Sequence, residues 1–280
     1  MIINIAANEY LKGGTKGREF ISSLIFMNID LLLVGCGGTG GCFFSKMVRF
    51  LTSIEFHGID FRFRMIDGDR VEAKNIERQP FLLEDVGKNK AVALASIAEE
   101  LMDIKVKAYP FYLSPGKIEV LDQFDFDSVS TSDLKIIIGA VDNHACRSIL
   151  HNYFMSYKKI PMLIYVDSAN ELSAGEIVIG VRNYTKIITP DRAHYYPEIL
   201  ENPGKAAYEL SCEELNASAP QHLATNGLAG DLLFSYISQV IVAAEKAVYA
   251  PGGIIYFDAF QMFSRFDRYE EERHGKIKQR

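Results

Sequence analysis

Cysteine is scarce in this chain of 280 residues, which contains four. None of the four forms a C-x-x-C pair, and a chain of this length would need more cysteines for a disulfide framework. The sequence therefore predicts no structural zinc and a reducing, cytoplasmic location. The four residues are Cys36, Cys42, Cys146 and Cys212.

Excess positive charge is also missing, because the formal net charge is -6. This balance argues against a nucleic-acid partner held by general electrostatics and favours a protein or a small molecule. The N-terminus carries Asn4 and Glu9 where a targeting segment would need a basic patch followed by an apolar core.

A long uninterrupted hydrophobic run is absent as well. The most membrane-like stretch, residues 228–249, contains charged residues such as Asp231 and Glu245, and its apolar residues share one helical face. We expect a buried amphipathic helix there and no contact with a membrane.

The most informative stretch is a glycine-rich turn that follows the apolar run 31–34. Gly35, Gly37 and Gly40 have the G-x-G-x-x-G spacing, with Gly38 and Thr39 between them, and an amphipathic segment follows. This strand, turn and helix start is typical of a nucleotide site, where unpaired helix N–H groups face phosphates. The motif alone does not decide which chemistry the nucleotide serves.

Strand-like and helix-like segments alternate along the chain. This order predicts right-handed crossovers and a Rossmann-like, doubly wound, largely parallel α/β sheet with an antiparallel C-terminal extension. The expected strands are 31–34, 61–66, 105–109, 135–138, 162–166 and 176–181, and the expected helices are 39–54, 88–102 and 143–157.

We expect one domain over residues 1–280, in four parts. An N-terminal arm (1–29) precedes a nucleotide-binding core (30–181). A long segment without strong periodicity (183–225) contains four prolines and is expected to cover the site. A helix and strands (226–280) complete the domain.

Charged residues follow the second and fourth strands. Asp67 can accept the ribose hydroxyls of a nucleotide whose phosphates lie at the glycine turn. Asp69, Asn75, Arg78 and Gln79 follow it along the same edge of the sheet.

Lys90 begins the next helix, and two cations beside a phosphate turn suggest more negative charge than a pyrophosphate diester carries. Asp142, after the fourth strand, can bind Mg²⁺, which usually joins one or two carboxylates to substrate phosphates. Together these residues predict ATP bound for chemistry. Each also has a structural interpretation, because aspartates cap turns and most loop cations are solvated.

These residues resemble the ThiF/MoeB/HesA family, which includes the ubiquitin-activating enzymes and adenylates the C-terminal carboxylate of a ubiquitin-like protein. The resemblance covers about residues 30–181. It assigns the nucleotide turn to Gly35–Gly40, the ribose-binding acid to Asp67, and the D-x-V and N-x-x-R-Q patterns to Asp69, Val71, Asn75, Arg78 and Gln79. It assigns the phosphate lysine to Lys90, and the metal-binding D-N pair with its following arginine to Asp142, Asn143 and Arg147.

A narrower resemblance is to the ThiF-like component of the PRTRC plasmid-associated systems. It uses, among other segments, residues 8–11, 75–81 and 211–212, and it implies a ubiquitin-like partner. The family also implies a homodimer. In the family an acyl adenylate passes either to the enzyme's own thiol or to another acceptor, and Cys212 is the candidate thiol, although the acidic residues after it would raise its pKa.

Three functions remain open from the sequence. The first is the adenylating enzyme, with Arg78, Lys90 and Asp142 as its catalytic residues. The second is an ATP-binding scaffold without turnover. The third, which the cations disfavour, is an oxidoreductase that binds NAD or FAD at the glycine turn.

Overall fold

The structure is a computed structural model that describes residues 28–53, 60–123, 133–206, 209, 222–245 and 251–270. Within these residues, nine strands form one sheet in the order β3-β2-β1-β4-β5-β6-β8-β9, with β7 paired to β6. The strands are β1 (Asn28–Val34), β2 (Asp60–Ile66), β3 (Lys107–Tyr109), β4 (Leu134–Gly139), β5 (Met162–Asn170), β6 (Ala174–Asn183), β7 (Lys186–Thr189), β8 (Gly253–Asp258) and β9 (Phe263–Arg268).

Helices connect and cover the strands. The described α-helices are α1 (Gly38–Ser53), α2 (Lys90–Met102), α3 (Glu119–Asp122), α4 (His144–Ser156), α5 (Arg192–Tyr195), α6 (Glu198–Glu201) and α7 (Leu223–Glu245), and short 3-10 turns occur at Ala73–Asn75, Leu83–Asp85 and Pro115–Lys117. No helix in the described ranges is long and apolar enough to cross a membrane.

The first five strands are parallel, and the remaining pairs are antiparallel. From β1 the chain moves outward through β2 and β3, and it then returns to the other side of β1 to form β4. The carboxyl ends of β1 and β4 therefore flank a topological switch point, where doubly wound proteins bind ligands.

Apolar residues cover both faces of the sheet. One core packs residues of α1, α2 and α7 against side chains such as Leu31 and Ile136. The second core packs α4 against the alternate residues, such as Leu32 and Ile137. Because β1 and β4 are buried on both faces, they form continuous apolar runs, and this explains why the sequence shows them clearly.

The fold class expected from the sequence is confirmed, and the element bounds differ at a few ends. Strand β5 continues beyond Val166 to Asn170 because its polar end pairs with β6 as far as Gly175. The aperiodic segment after residue 183 begins with a strand, Lys186–Thr189, which is too short to show a period. Residues 207–208 and 210–221 of that segment, with Cys212, lie outside the described residues.

A charged cluster lies inside the sheet and consists of one residue each from β1, β2 and β4. Asp30 accepts from Arg64 Nε at 2.7 Å and from Lys135 Nζ at 2.7 Å, and the three residues are almost completely buried. We call Asp30, Arg64 and Lys135 the buried triad. It lies away from the carboxyl edge of the sheet, where the charged residues of the sequence motifs meet.

Candidate functional site

A cleft of about 700 Å³ opens at the switch point. It is lined by the glycine turn, the segments that follow β2, β3 and β4, and the junction of β5 with β6. The candidate residues on its wall are Gly35, Gly37, Gly38, Thr39, Asp67, Asp69, Asn75, Arg78, Gln79, Lys90 and Asp142. The topology thus brings together side chains from four separate stretches of the sequence.

Two glycines allow the turn to approach its neighbours. Gly35 has a φ of +95°, which side-chain-bearing residues rarely adopt, and a Cβ there would lie 2.4 Å from the Ala140 carbonyl oxygen. A Cβ on Gly40 would lie 2.0 Å from the Gly35 carbonyl oxygen. A larger residue at Gly35 would force the turn away from the end of β4, and one at Gly40 would distort the turn itself.

Gly37 and Gly38 have different surroundings. A Cβ on Gly37 would meet nothing within 4 Å, so this residue faces the open cleft and leaves its backbone accessible to a ligand. A Cβ on Gly38 would lie 2.2 Å from Nδ2 of Asn226 on α7. Helix α1 begins at Gly38, so its unpaired N–H groups are at this end of the cleft.

Asp67 lies at the end of β2 and accepts two backbone hydrogen bonds. Its Oδ2 accepts from the Cys36 N–H at 2.6 Å, and its Oδ1 accepts from the Asp69 N–H at 2.7 Å. Burial raises the pKa of this carboxyl to about 6, against the opposing attraction of Lys90. Asp67 therefore supports the glycine turn and has an ionisation that responds to pH near neutrality.

Asp67, Asp69 and Lys90 form what we call the cleft triad. Lys90 Nζ donates to Asp69 Oδ2 at 2.9 Å, and Asp69 also accepts from the Tyr112 hydroxyl. Although burial works to raise the pKa of Asp69, Lys90 and Tyr112 lower it. Lys90 pairs with Asp69 and also attracts the neighbouring carboxylate of Asp67, so the cation next to the turn is already engaged.

The backbone around the cleft triad is fixed by Asn89. Its Oδ1 accepts from the Val92 N–H and so caps α2, while its Nδ2 donates to the carbonyl oxygens of Asp67 and Asp69 at 2.8 and 3.0 Å. Lys90 consequently enters the cleft from the first turn of a helix whose start is tied to the segment after β2.

Arg78 and Gln79 line the cleft and follow the 3-10 turn Ala73–Asn75. Asn75 is buried, and its Oδ1 accepts from the Glu72 N–H at 2.9 Å, which closes the turn. Arg78 is half-buried and makes no ion pair with any described residue. Gln79 Oε1 is buried and has no hydrogen-bond partner within the described ranges. These polar groups are available to a ligand.

Asp142 is exposed on the wall of the cleft, at the end of β4. The next residue, Asn143, accepts from the Cys146 N–H at 2.8 Å and caps α4. Arg147 is buried, with Nε 3.2 Å from Asp167 Oδ1 and an Nη2 that donates to the Val141 carbonyl at 2.5 Å. Arg147 thus fixes the backbone immediately before Asp142 and is itself paired.

The three cysteines within the described residues, Cys36, Cys42 and Cys146, differ in position. Cys36 is completely buried in the glycine turn, and burial raises the pKa of its thiol. Burial also raises the pKa of Cys42 on α1, and it raises that of Cys146 on the cleft wall to about 12. These thiols are protonated near neutral pH, which suits packing.

Several residues of the cleft wall were not expected from the sequence. Tyr112 packs on Gly68, where a Cβ would lie 2.4 Å from the ring, and no motif includes this tyrosine. Arg192 pairs with Glu176, which also accepts from the Tyr196 hydroxyl at 2.7 Å. Arg192 and Tyr196 belong to the aperiodic segment, where a lone charge or ring gives no signal.

No cluster of three or more potential metal ligands occurs in the described residues. Mg²⁺, however, is usually held by one or two carboxylates together with phosphates and water. The exposed Asp142 carboxylate beside the glycine turn fits that type of donor set.

The fold defines a Rossmann-like protein with a polar cleft at the carboxyl edge of the sheet. The sequence model of the ThiF family matches residues 25–247. The chain therefore belongs to the ThiF family.

The similar proteins include one relative matched by sequence and several proteins matched by structure. The chain is 27% identical over 188 residues to ubiquitin-activating enzyme E1 1 of Candida albicans (strain WO-1). The aligned region covers 64% of this chain and 16% of that enzyme. The fold is similar to the crystal structure of PaaA, with a TM-score of 0.54 and 17% identity over 85% of this chain and 63% of that one.

It is also similar to E. coli MccB, solved with ATP (TM-score 0.54, 15% identity, 85% of this chain and 62% of that one) and with MccA-N7isoASN (TM-score 0.55, 15% identity, 85% and 64%). The chain thus spans less than two thirds of the length of each of these proteins. At these identities the structural likeness concerns the fold.

Proposed function

We propose that this protein adenylates a substrate carboxylate with ATP and releases pyrophosphate. The observation that carries the proposal is the convergence, in one cleft of a ThiF-family chain, of an open glycine turn, a ribose-type acid and two cations, Arg78 and Lys90. MccB, which has a similar fold, has been crystallised with ATP. A redox cofactor would need the turn and Asp67 but would not require Arg78 or Lys90.

In the proposed reaction, an oxygen of the substrate carboxylate attacks the α-phosphorus of ATP. A bond forms between these atoms, the bond from the α-phosphorus to the bridging oxygen breaks, and pyrophosphate leaves with the electron pair. The carboxylate is already ionised near neutral pH, so no general base is needed. Placement and charge neutralisation then supply the catalysis.

Each cleft residue has a role in this scheme. Asp67 binds the ribose, and the N–H groups at Gly37 and Gly38 bind phosphate oxygens. Arg78 and Lys90 neutralise the phosphates, with Asp69 holding Lys90 until ATP competes for it. Asp142 would hold Mg²⁺, which would stabilise the charge on the departing pyrophosphate.

The substrate that we propose is the C-terminal carboxylate of a ubiquitin-like or sulfur-carrier protein, and this is the finer part of the proposal. The similarity to a ubiquitin-activating enzyme supports it, while MccB complexes with MccA make a peptide the alternative. A later thioester on Cys212, a homodimer and membership of the PRTRC subgroup remain predictions from the sequence.

The test is the exchange of labelled pyrophosphate into ATP by the full chain with Mg²⁺ and candidate partner proteins or peptides. We expect exchange that depends on the partner and that Asp142→Ala abolishes. The control is Asp122→Ala, which removes another exposed aspartate, paired with Lys159 outside the cleft, and should retain exchange.

The same assay separates the enzyme from an ATP-binding scaffold. If the wild-type chain binds ATP and the candidate partner without exchange, and no adenylated partner is detected by mass spectrometry, the enzymatic proposal fails for that partner. Binding without turnover is the result that the scaffold predicts.

A further inference from the structure

Three neutral polar side chains connect the glycine turn to the C-terminal half of the molecule. The Thr39 hydroxyl lies 3.1 Å from Asn170 Oδ1 and 3.3 Å from Asn226 Oδ1, and Asn170 Nδ2 donates to Asn226 Oδ1 at 2.9 Å. We call Thr39, Asn170 and Asn226 the amide cluster. It joins the start of α1, the end of β5 and the first turns of α7.

The packing around the amide cluster is tight. Asn226 is 1% exposed, and its Nδ2 occupies the space that a side chain at Gly38 would need. One turn further along α7, a Cβ on Gly230 would lie 2.7 Å from Cys42 Cβ. The absence of side chains at Gly38 and Gly230 therefore lets α7 approach α1, with Asn226 directly behind the turn.

The chemical type of the cluster matters for a phosphate site. A charged pair behind the turn would add a local electric field. Its charges would repel the phosphates or compete for the same binding partners, as Asp69 competes with ATP for Lys90 in the proposed site. Amides and a hydroxyl hold the backbone in place without a net charge. Satisfied buried networks of this kind rigidify their surroundings.

We propose that Asn226, supported by Asn170, is a positioning residue that fixes the glycine turn through Thr39 and Gly38, and so aligns the backbone N–H groups that bind the phosphates of ATP. This inference rests on the proposed nucleotide site and names residues outside its motifs. Asn226 acts through the turn and does not contact the reacting atoms.

The experiment uses the full chain carrying Asn226→Ala, with Thr225→Val as the matched control. Thr225 is the adjacent buried residue, and its hydroxyl donates to the Leu172 carbonyl at 2.6 Å, away from the turn. Hydrogen exchange is measured on peptides covering residues 35–41, and the Kd is measured for ATP and for adenosine, which has no phosphates.

In Asn226→Ala we expect faster amide exchange at residues 35–41 and a Kd for ATP raised about 10-fold, with the Kd for adenosine unchanged, because small displacements of positioned groups weaken only the contacts they make. Thr225→Val should match the wild type in all three measurements. A merely structural role would weaken ATP and adenosine binding equally or leave both unchanged.

The inference is overturned if Asn226→Ala retains both the wild-type exchange of the turn and the wild-type ratio of the two Kd values. If the wild type binds neither ligand, the proposed function fails, and the exchange measurement still decides whether Asn226 orders the turn. Should Asn226→Ala not fold, Thr39→Val removes the hydroxyl at nearly constant volume and is expected to give the same pattern.

Discussion

The buried triad and the cleft triad use the same types of charged residue with opposite balance. In the buried triad, two cations share the carboxylate of Asp30, and all three side chains are shielded from solvent. In the cleft triad, the ammonium group of Lys90 pairs with Asp69 and attracts a second carboxylate, Asp67, beside an open cavity. The first is completed by the protein, whereas the second leaves charge that a ligand can rebalance.

The pKa values express the same difference. Burial lowers the pKa of Lys135 to about 8, with Asp30 opposing the shift, and burial raises that of Asp67 to about 6, with Lys90 opposing it. A perturbed group in a closed network is a cost of the fold, while a perturbed group in a cleft is a candidate for function.

The largest effect on stability is expected from Asp30→Ala. The substitution leaves two buried cations without their shared carboxylate, and breaking a buried pair typically costs about 3–5 kcal/mol. Urea unfolding should show this loss. Asp60→Ala, which breaks the exposed pair with Arg62, should cost less than about 1 kcal/mol.

If Asp30→Ala loses no more stability than Asp60→Ala, the buried triad does not stabilise the fold and the contrast between the two regions fails.

Among the residues of the cleft triad, the largest effect on activity is expected from Lys90→Met. Loss of a preorganised group that stabilises developing charge typically costs about 10²- to 10³-fold in rate. Pyrophosphate exchange measures this loss. Lys88→Met is the control, because Lys88 is two residues away, does not line the cleft, and pairs with the buried Asp85 through an exposed ammonium group.

Equal exchange rates in Lys90→Met and the wild type would show that Asp69 retains Lys90 throughout the reaction and that the lysine is structural. The cleft triad would then resemble the buried one.

A smaller, pH-dependent effect is expected from Asp67. In the proposed site the ionised carboxylate is the stronger acceptor for the ribose hydroxyls, so the affinity for adenosine should fall by up to about tenfold between pH 7 and pH 5, as the carboxyl with a pKa of about 6 takes up a proton. Titration calorimetry across this range measures the fall. Asp67→Asn should remove the dependence, and an unchanged slope in that variant would assign it to another group.

The same pKa has a consequence for folding, with a defined sign. The pKa of Asp67 in the folded chain lies above its ordinary value of 3.8, so the folded chain binds this proton more tightly. The contribution of Asp67 to the free energy of unfolding therefore falls as the pH rises from about 4 to about 6, and it is constant above that window. Keeping Asp67 ionised in the cleft at neutral pH therefore costs some folding stability.

The contrast also explains what the sequence could predict. The glycine turn follows β1 directly, and Asp67 and Asp142 end apolar strands, so local order was enough to place them at one edge of the sheet. Asp30 and Lys135 are 105 residues apart, and Thr39 and Asn226 are 187 apart. Such contacts depend on the register of packed elements, and no local pattern reports them.

Arg147 illustrates the same limit at a motif position. Its spacing from Asp142 was visible, but its partner Asp167 lies on the next strand, so its burial against that carboxylate could not be derived from the spacing. The aperiodic segment is a second example, because Arg192 is held at the cleft by Glu176 on β6 and Asp167 on β5, which are distant in the sequence.

The smallest expected effects come from two tyrosine hydroxyls, one beside each triad. The Tyr153 hydroxyl donates to the Leu121 carbonyl at 2.7 Å in the interior, near the buried triad, and the Tyr112 hydroxyl donates to Asp69 in the cleft. Tyr153→Phe leaves a buried carbonyl without its donor, so we expect a loss of about 1 kcal/mol in urea unfolding and an unchanged Kd for ATP.

Tyr112→Phe should show the opposite pattern. Asp69 loses a neutral donor, and its carboxylate then binds Lys90 more strongly, so ATP must compete harder for the lysine and its Kd should rise about 3-fold, equivalent to less than about 1 kcal/mol. Unfolding should be almost unaffected, because the carboxylate that loses the hydroxyl is half-exposed and water can replace the donor. If Tyr112→Phe changes stability and leaves the Kd unchanged, Asp69 and Lys90 form a closed pair, and the cleft triad has no charge to offer a ligand.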